Sequence, residues 1–190
     1  NTVTTLGRVD EALSKLDKNL LLQLLKSQHL GIRNVKDENV DFYILHLEET
    51  KENKLNNNTD KDSVLGKEEI QEAVNQGNLD ADVEYQRALA VTNINLAINN
   101  NEIELIVKFL QNPAAQLPEV YESAGTLYME EFRNMMEEKQ EELDYEEISA
   151  ATKVLSTVAV INQAIDVGDP DRTYKALSNE EACIPDLDEN

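Results

Sequence analysis

The chain has 190 residues, with six glycines, four prolines, no tryptophan and 5% aromatic side chains. Such a helix-forming alphabet argues against a β-sandwich. Seventeen basic residues against thirty-eight acidic ones give a formal net charge of -21, which repels DNA, RNA and anionic lipid surfaces. A single cysteine, Cys183, can close neither an intrachain disulfide nor a cysteine-rich zinc site, which fits a reducing cytosol.

Along the chain, Leu20, Leu21, Leu24 and Leu25 recur with the spacing of a buried helix face. The polar run from Glu52 to Val64 has no apolar period over Asn53–Asp60, so a flexible loop is predicted to end a first unit at residues 1–64. A long helix is predicted from about Lys67 to Ile98, despite Gly77, which costs about 1 kcal/mol relative to alanine in a helix interior. Asn99–Asn101 breaks that helix, and Leu105, Ile106, Phe109 and Leu110 present a second buried face. Leu117-Pro118-Glu119 places a proline at the predicted first turn of a helix running to about Glu138. Asp144 is a predicted N-cap with Glu147 at N3, and Leu143 can staple onto Ile148. Gly168-Asp169-Pro170 supplies a C′ glycine, an N-cap and an N1 proline in succession. The second and third units are then residues 65–142 and 143–190.

These units are copies. Ile94-Asn95-Leu96-Ala97-Ile98 returns as Ile161-Asn162-Gln163-Ala164-Ile165, and Lys108, Leu110, Asn112 and Ala115 return as Lys175, Leu177, Asn179 and Ala182, all at an offset of 67. An earlier copy lies at an offset of 85, where Val9, Ala12, Leu25, Val35 and Tyr43 fall on Ile94, Ala97, Leu110, Val120 and Tyr128. Glu69-Ile70 also aligns with Glu147-Ile148, yet Ile70 precedes Ile94 by 24 residues and Ile148 precedes Ile161 by 13. The extra eleven residues amount to about three helical turns, an insertion that keeps the apolar face in register and therefore favours a continuous helix. In the third copy Arg172, Thr173, Ala176 and Leu177 replace the apolar face, so its last helix is expected to be frayed or capped by sequence beyond Asn190. The expected fold is all-α: antiparallel helical repeats in up-down order, a hairpin array or bundle with one long central helix.

Asn112-Pro-Ala-Ala-Gln-Leu-Pro-Glu-Val-Tyr121, the Tyr85-Gln-Arg-Ala-Leu-Ala-Val91 lead-in and the twice-used Ile-Asn-x-Ala-Ile resemble the repeat region of the IQGAP family of IQ-motif-containing, GTPase-activating-like scaffold proteins. The resemblance covers essentially the whole chain. It implies a segment of a cytoplasmic scaffold at the cell cortex, whose other domains bind actin, calmodulin and Rac- and Cdc42-type GTPases. For the repeats it implies protein docking, with ezrin-type membrane linkers as expected partners, and self-association as a homodimer. The start at Asn1 rather than Met agrees with a fragment. No motif fixes a contact residue.

Chemistry-bearing constellations are not found in the sequence. His29 and His46 lack metalloprotease or metal-ligand spacing and are expected at the surface or at helix ends. The glycines are isolated and form no phosphate cradle. Asp80-x-Asp82-x-Glu84 mimics a calcium loop, but Tyr85 replaces the needed glycine. Asn57-Asn58-Thr59 matches a glycosylation acceptor that a cytosolic chain does not use. Cys183 has no accompanying base. Apolar runs never exceed four residues, against roughly 20 for a bilayer span, so no membrane insertion is expected. No catalytic residue, cofactor or metal is expected, and the chain is read as no enzyme.

One surface feature stands out. Between Glu119 and Glu147 acidic residues outnumber basic ones eleven to two. Such a run commonly forms a solvated helix face. The functional alternative is that Glu130, Glu131, Glu137, Glu138, Glu141 and Glu142 steer a basic-surfaced partner in a salt-dependent way.

Overall fold

The structure is a computed structural model, and it describes residues 2–57, 64–179 and 182. Those residues form eight α-helices and no strand. The helices are α1 (Thr2–Ser14), α2 (Lys18–Leu25), α3 (Val40–Asn57), α4 (Lys67–Asn100), α5 (Ile103–Leu110), α6 (Gly125–Lys139), α7 (Tyr145–Val167) and α8 (Pro170–Leu177). Short 3-10 turns precede α3 at Asp37–Asn39 and α6 at Glu122–Ala124. The chain divides into two compact units at Glu84, inside α4.

In the first unit α1, α2, α3 and the start of α4 bury Val9, Leu13, Leu21, Leu25, Tyr43, Leu47, Ile70 and Val74 in one core. In the second, the end of α4 joins α5, α6 and α7 around Ile94, Ile98, Ile106, Leu110, Tyr128, Phe132, Ile148 and Leu155. Burying each such side chain contributes roughly 1.5–3 kcal/mol. Residues aligned at the offset of 85 thus occupy matching places in two cores. The helix ends match as well. Leu16 and Asn101 take left-handed backbone at φ 52° and 58°. Asp17 N–H then bonds Ala12 C=O, and Glu102 N–H bonds Ala97 C=O, at 3.0 Å in both units, closing each helix with a Schellman turn.

The insertion is helical. At 34 residues α4 is longer than the 23-residue α7 by eleven, the number of residues added between the aligned positions. Gly77 lies within α4 because a Cβ there would stand 2.7 Å from Tyr43 Cδ1 and 3.2 Å from the Phe42 backbone. The close approach of α3 accounts for a residue that helix propensity alone disfavours.

Asp144 caps α7 with a complete capping box, accepting from Glu147 N–H while the Glu147 carboxylate accepts from Asp144 N–H. Gly168 ends α7 at φ 72°, and Asp169 and Pro170 open α8 as expected. Among the described residues α7 alone is long and apolar enough to cross a membrane by length and composition. Its Ile148, Thr152, Leu155 and Ser156 are buried within the second unit.

Four expectations are corrected. The helix predicted from Pro118 begins at Gly125 instead. Its would-be first turn is extended, since Glu119 C=O accepts from Ser156 Oγ, Val120 C=O from Gln111 Nε2, and Tyr121 N–H donates to the Tyr128 hydroxyl. The loop predicted from Glu52 is helical through Asn57, with Lys54 tied to Glu69 at 2.7 Å. Residues 58–63 of that loop, with Asn58 and Thr59 of the glycosylation pattern, lie outside the described residues, as does Cys183. Leu105 is exposed rather than part of the buried face, which is formed by Ile106, Val107 and Leu110. His46 is neither at the surface nor at a helix end: it sits inside α3, mostly buried, with Nε2 2.7 Å from Asp80 Oδ2.

Candidate functional site

The six acidic candidates lie on α6 and on the turn that follows it. Glu130, Glu131, Glu137, Glu138, Glu141 and Glu142 are all exposed, because Tyr128, Met129 and Phe132 take the inward face of α6. Gln140 ends the helix in left-handed backbone at φ 60° and turns the chain so that Glu141 and Glu142 return towards Glu137. These three line one open groove of about 570 Å³ with Arg133, Gln140, Asn99, Ile98 and Met136. Glu130, Glu131 and Glu138 do not line it.

Two fixed points hold the rim. Arg133 Nη2 donates to Asn101 Oδ1 at 2.5 Å. Asn95, 2% exposed, donates to Leu143 C=O at 2.8 Å and accepts from Leu143 N–H at 3.1 Å, anchoring the turn beneath Glu141 and Glu142. Lys139 meets Glu147 at 2.7 Å. That hydrogen bond holds Lys139 above its ordinary value, and, joined by one from the Asp144 backbone, it holds the Glu147 carboxyl below its own. The groove brings Glu137, Glu141 and Glu142 together beside Arg133, a surface suited to a cationic side chain. Arg133, Asn95 and the apolar floor of Ile98 and Met136 were not legible as site residues, since their roles depend on contacts between distant segments. The Ile-Asn-x-Ala-Ile repetition was the one sequence signal that marked Asn95.

The calcium-like triad is a run on α4, where Asp80 faces His46 and Asp82 lies 3.5 Å from Lys36. Among the described residues no group of three His, Cys, Asp or Glu side chains is placed to hold a metal.

These features define an all-helical repeat segment with an acidic groove on its second unit. The human protein named "Ras GTPase-activating-like protein IQGAP3" is 34% identical over 171 residues, covering 90% of this chain and 10% of that protein. Human "Ras GTPase-activating-like protein IQGAP2" is 30% identical over 85% of the chain and 10% of its own length, and mouse IQGAP2 is 27% identical over 95% and 12%. The chain is an IQGAP-family region, and it spans about a tenth of the length of these relatives. No family model and no solved structure matches it.

Proposed function

We propose that this chain is a non-catalytic protein-binding and spacing module of a cytosolic scaffold that organises the actin cytoskeleton and Rho-family GTPase signalling at the cell cortex. The observation that carries the reading is the combination of IQGAP-family identity along nearly the whole chain with a repeated helical core. A repeat array supplies rigid spacing and side-chain display without a catalytic constellation. In this reading the groove of Glu137, Glu141 and Glu142 is the docking point, assisted by Glu130, Glu131 and Glu138, and its partner presents a basic surface, as an ezrin-type membrane linker would. Actin, calmodulin and Rac- or Cdc42-type GTPases engage other parts of the parent protein.

Binding of a purified ezrin-type linker, measured by calorimetry at ~0.1 M salt, where exposed charges act over about 10 Å, tests this. Association should weaken at higher salt and with Glu137→Lys, Glu141→Lys and Glu142→Lys combined. Absence of binding by the unaltered chain, or equal binding by the charge-reversed one, would sink the reading.

A second reading, self-association, is favoured by one observation. Tyr85, Leu89 and Leu96 are 66%, 44% and 51% exposed and share one stripe of α4 at helical spacing. Sedimentation equilibrium should then show a dimer that Leu89→Glu dissociates; a monomer at every concentration removes this alternative.

A further inference from the structure

The third copy of the repeat is half a unit, and its inner face is open in part. Val9, Ala12 and Leu13 of α1 correspond to Ile94, Ala97 and Ile98 of α4, and these correspond to Ile161, Ala164 and Ile165 of α7. The first six of these residues are at most 2% exposed, in cores closed by Tyr43 and Leu47 of α3 and by Tyr128 and Phe132 of α6. Ala164 is buried at 7% and Ile161 is half-buried, whereas Ile165 is 54% exposed. On α8, Thr173, Tyr174 and Leu177 take the places of the buried Ile106, Val107 and Leu110, yet no α8 residue is buried. Asn162 takes the place of Asn95 and is exposed, whereas Asn95 clamps both backbone groups of Leu143 in the turn between α6 and α7.

Chain spacing says what covers such a face. The closing helix α3 starts at Val40, fifteen positions after α2 ends at Leu25, and α6 starts at Gly125, fifteen after α5 ends at Leu110. Fifteen positions after Leu177, where α8 ends, falls two positions past Asn190. We propose that Asn162, Ile165 and Tyr174 form the docking face for a helical hairpin of the α6–α7 kind, supplied by the polypeptide that follows residue 190 in the longer protein. Its first helix carries a tyrosine and a large apolar residue at i and i+4, as Tyr128 and Phe132 do. The backbone of its interhelix turn is clamped by the Asn162 amide. A closed third core then continues the array, and α8 becomes buried as α2 and α5 are. This rests on the chain's being a segment of a longer scaffold and not on which partner the acidic groove takes.

Thiol labelling tests it without any partner. In a Cys183→Ser background, Ile165→Cys and Tyr174→Cys are labelled with a maleimide in the 190-residue chain and in one carrying roughly two further hairpins of its native continuation, with exposed Ala150→Cys as control. Both sites should label at least about tenfold more slowly in the longer chain, the control equally in both. Asn162→Ala should lower the melting temperature of the longer chain and leave that of the shorter one unchanged. Should a cysteine variant fail to fold, amide exchange along α8 of the unsubstituted chains gives the same comparison, with at least about tenfold greater protection expected in the longer one. Equal labelling and equal exchange in the two chains overturn the proposal. So does protection that appears in the short chain as its concentration rises, since that would assign the face to a second copy.

Discussion

Tyr43 and Tyr128 stand at matching positions of successive units and make the same contact: each hydroxyl accepts the backbone N–H of the residue seven positions earlier, Lys36 at 2.9 Å and Tyr121 at 3.2 Å. Each ring is fully buried. Each hydroxyl then reaches the following long helix, Tyr43 donating to Asn78 Oδ1 at 2.6 Å and Tyr128 lying 2.8 Å from Ser156 Oγ. Ser156 has one proton and gives it to Glu119 C=O, so Tyr128 is the donor in that pair. The tyrosine therefore joins the extended linker, the closing helix and the next long helix at a single atom.

Tyr128→Phe keeps the ring and deletes that junction. The Tyr121 N–H and the Ser156 hydroxyl lose a partner in a part-buried setting, which should cost about 1–3 kcal/mol. Urea denaturation reads the loss. An unchanged midpoint would mean that water replaces the hydroxyl and that the junction does not hold the linker. Tyr43→Phe should behave alike in the first unit.

Gly77→Ala separates helix propensity from packing. Propensity alone favours alanine by about 1 kcal/mol. A Cβ at 2.7 Å from Tyr43 Cδ1 and 3.2 Å from the Phe42 backbone forces α3 and α4 apart, and such overpacking costs about 1–3 kcal/mol. The net outcome should be a lower melting temperature. A rise would show that α3 moves aside at no cost.

Much of the fold was legible because its signals are local or repeated. The capping box at Asp144 and Glu147 sits within four residues, and the eleven-residue difference was visible by aligning Ile70 with Ile148 and Ile94 with Ile161. What was hidden depends on partners far along the chain. Pro118 resembles a helix start, but the 117–121 segment is drawn straight by Gln111, Tyr128 and Ser156. Leu16 closes α1 in left-handed backbone, a position where glycine or asparagine is the usual signal. The acidic flank was plain in composition. That Glu137, Glu141 and Glu142 meet in one groove was not, since Gln140 and the Asn95 clamp bring them together.

Asn95→Ala should be among the costlier polar substitutions. It leaves the N–H and C=O of Leu143 without their partner, in a place where Leu143 is itself 2% exposed. Two orphaned backbone groups amount to about 2–6 kcal/mol at 1–3 kcal/mol for each. Chemical denaturation measures the cost. A loss below that of Tyr128→Phe would mean that solvent reaches the turn and that the groove rim is not anchored there.

Stability should decline in acid through two corresponding pairs. The hydrogen bond from Lys139, then that from the Asp144 backbone, hold Glu147 below the ordinary 4.5. Burial pushes Glu69 up, but hydrogen bonds from Lys54 and the Gly66 backbone outweigh it and leave that carboxyl lowered from 4.5 as well. With folded values depressed, the unfolded chain binds more protons, so this stability is complete above 4.5 and is lost as pH falls through the folded values. Melting temperatures should hold from neutrality down to the ordinary carboxylate value and drop below it. Lys54→Met with Lys139→Met should flatten the drop, and a drop of unchanged steepness would assign the acid sensitivity to other carboxylates.

Leu110→Asp and Glu137→Lys form a pair whose order decides which face of each helix points inward. Leu110 is 2% exposed in the second core, so a carboxylate there is desolvated without a partner and should cost several kcal/mol, on the order of 3–5. Glu137 is exposed on the groove rim, where reversing a charge changes stability by under about 1 kcal/mol. Thermal melts of the two variants separate the cases directly. If Glu137→Lys also weakens the basic partner while its melt is unchanged, the groove acts in recognition and not in folding. A large melting loss in Glu137→Lys would instead place the acidic side chains among the supports of the α6 turn, and the docking reading would lose its surface.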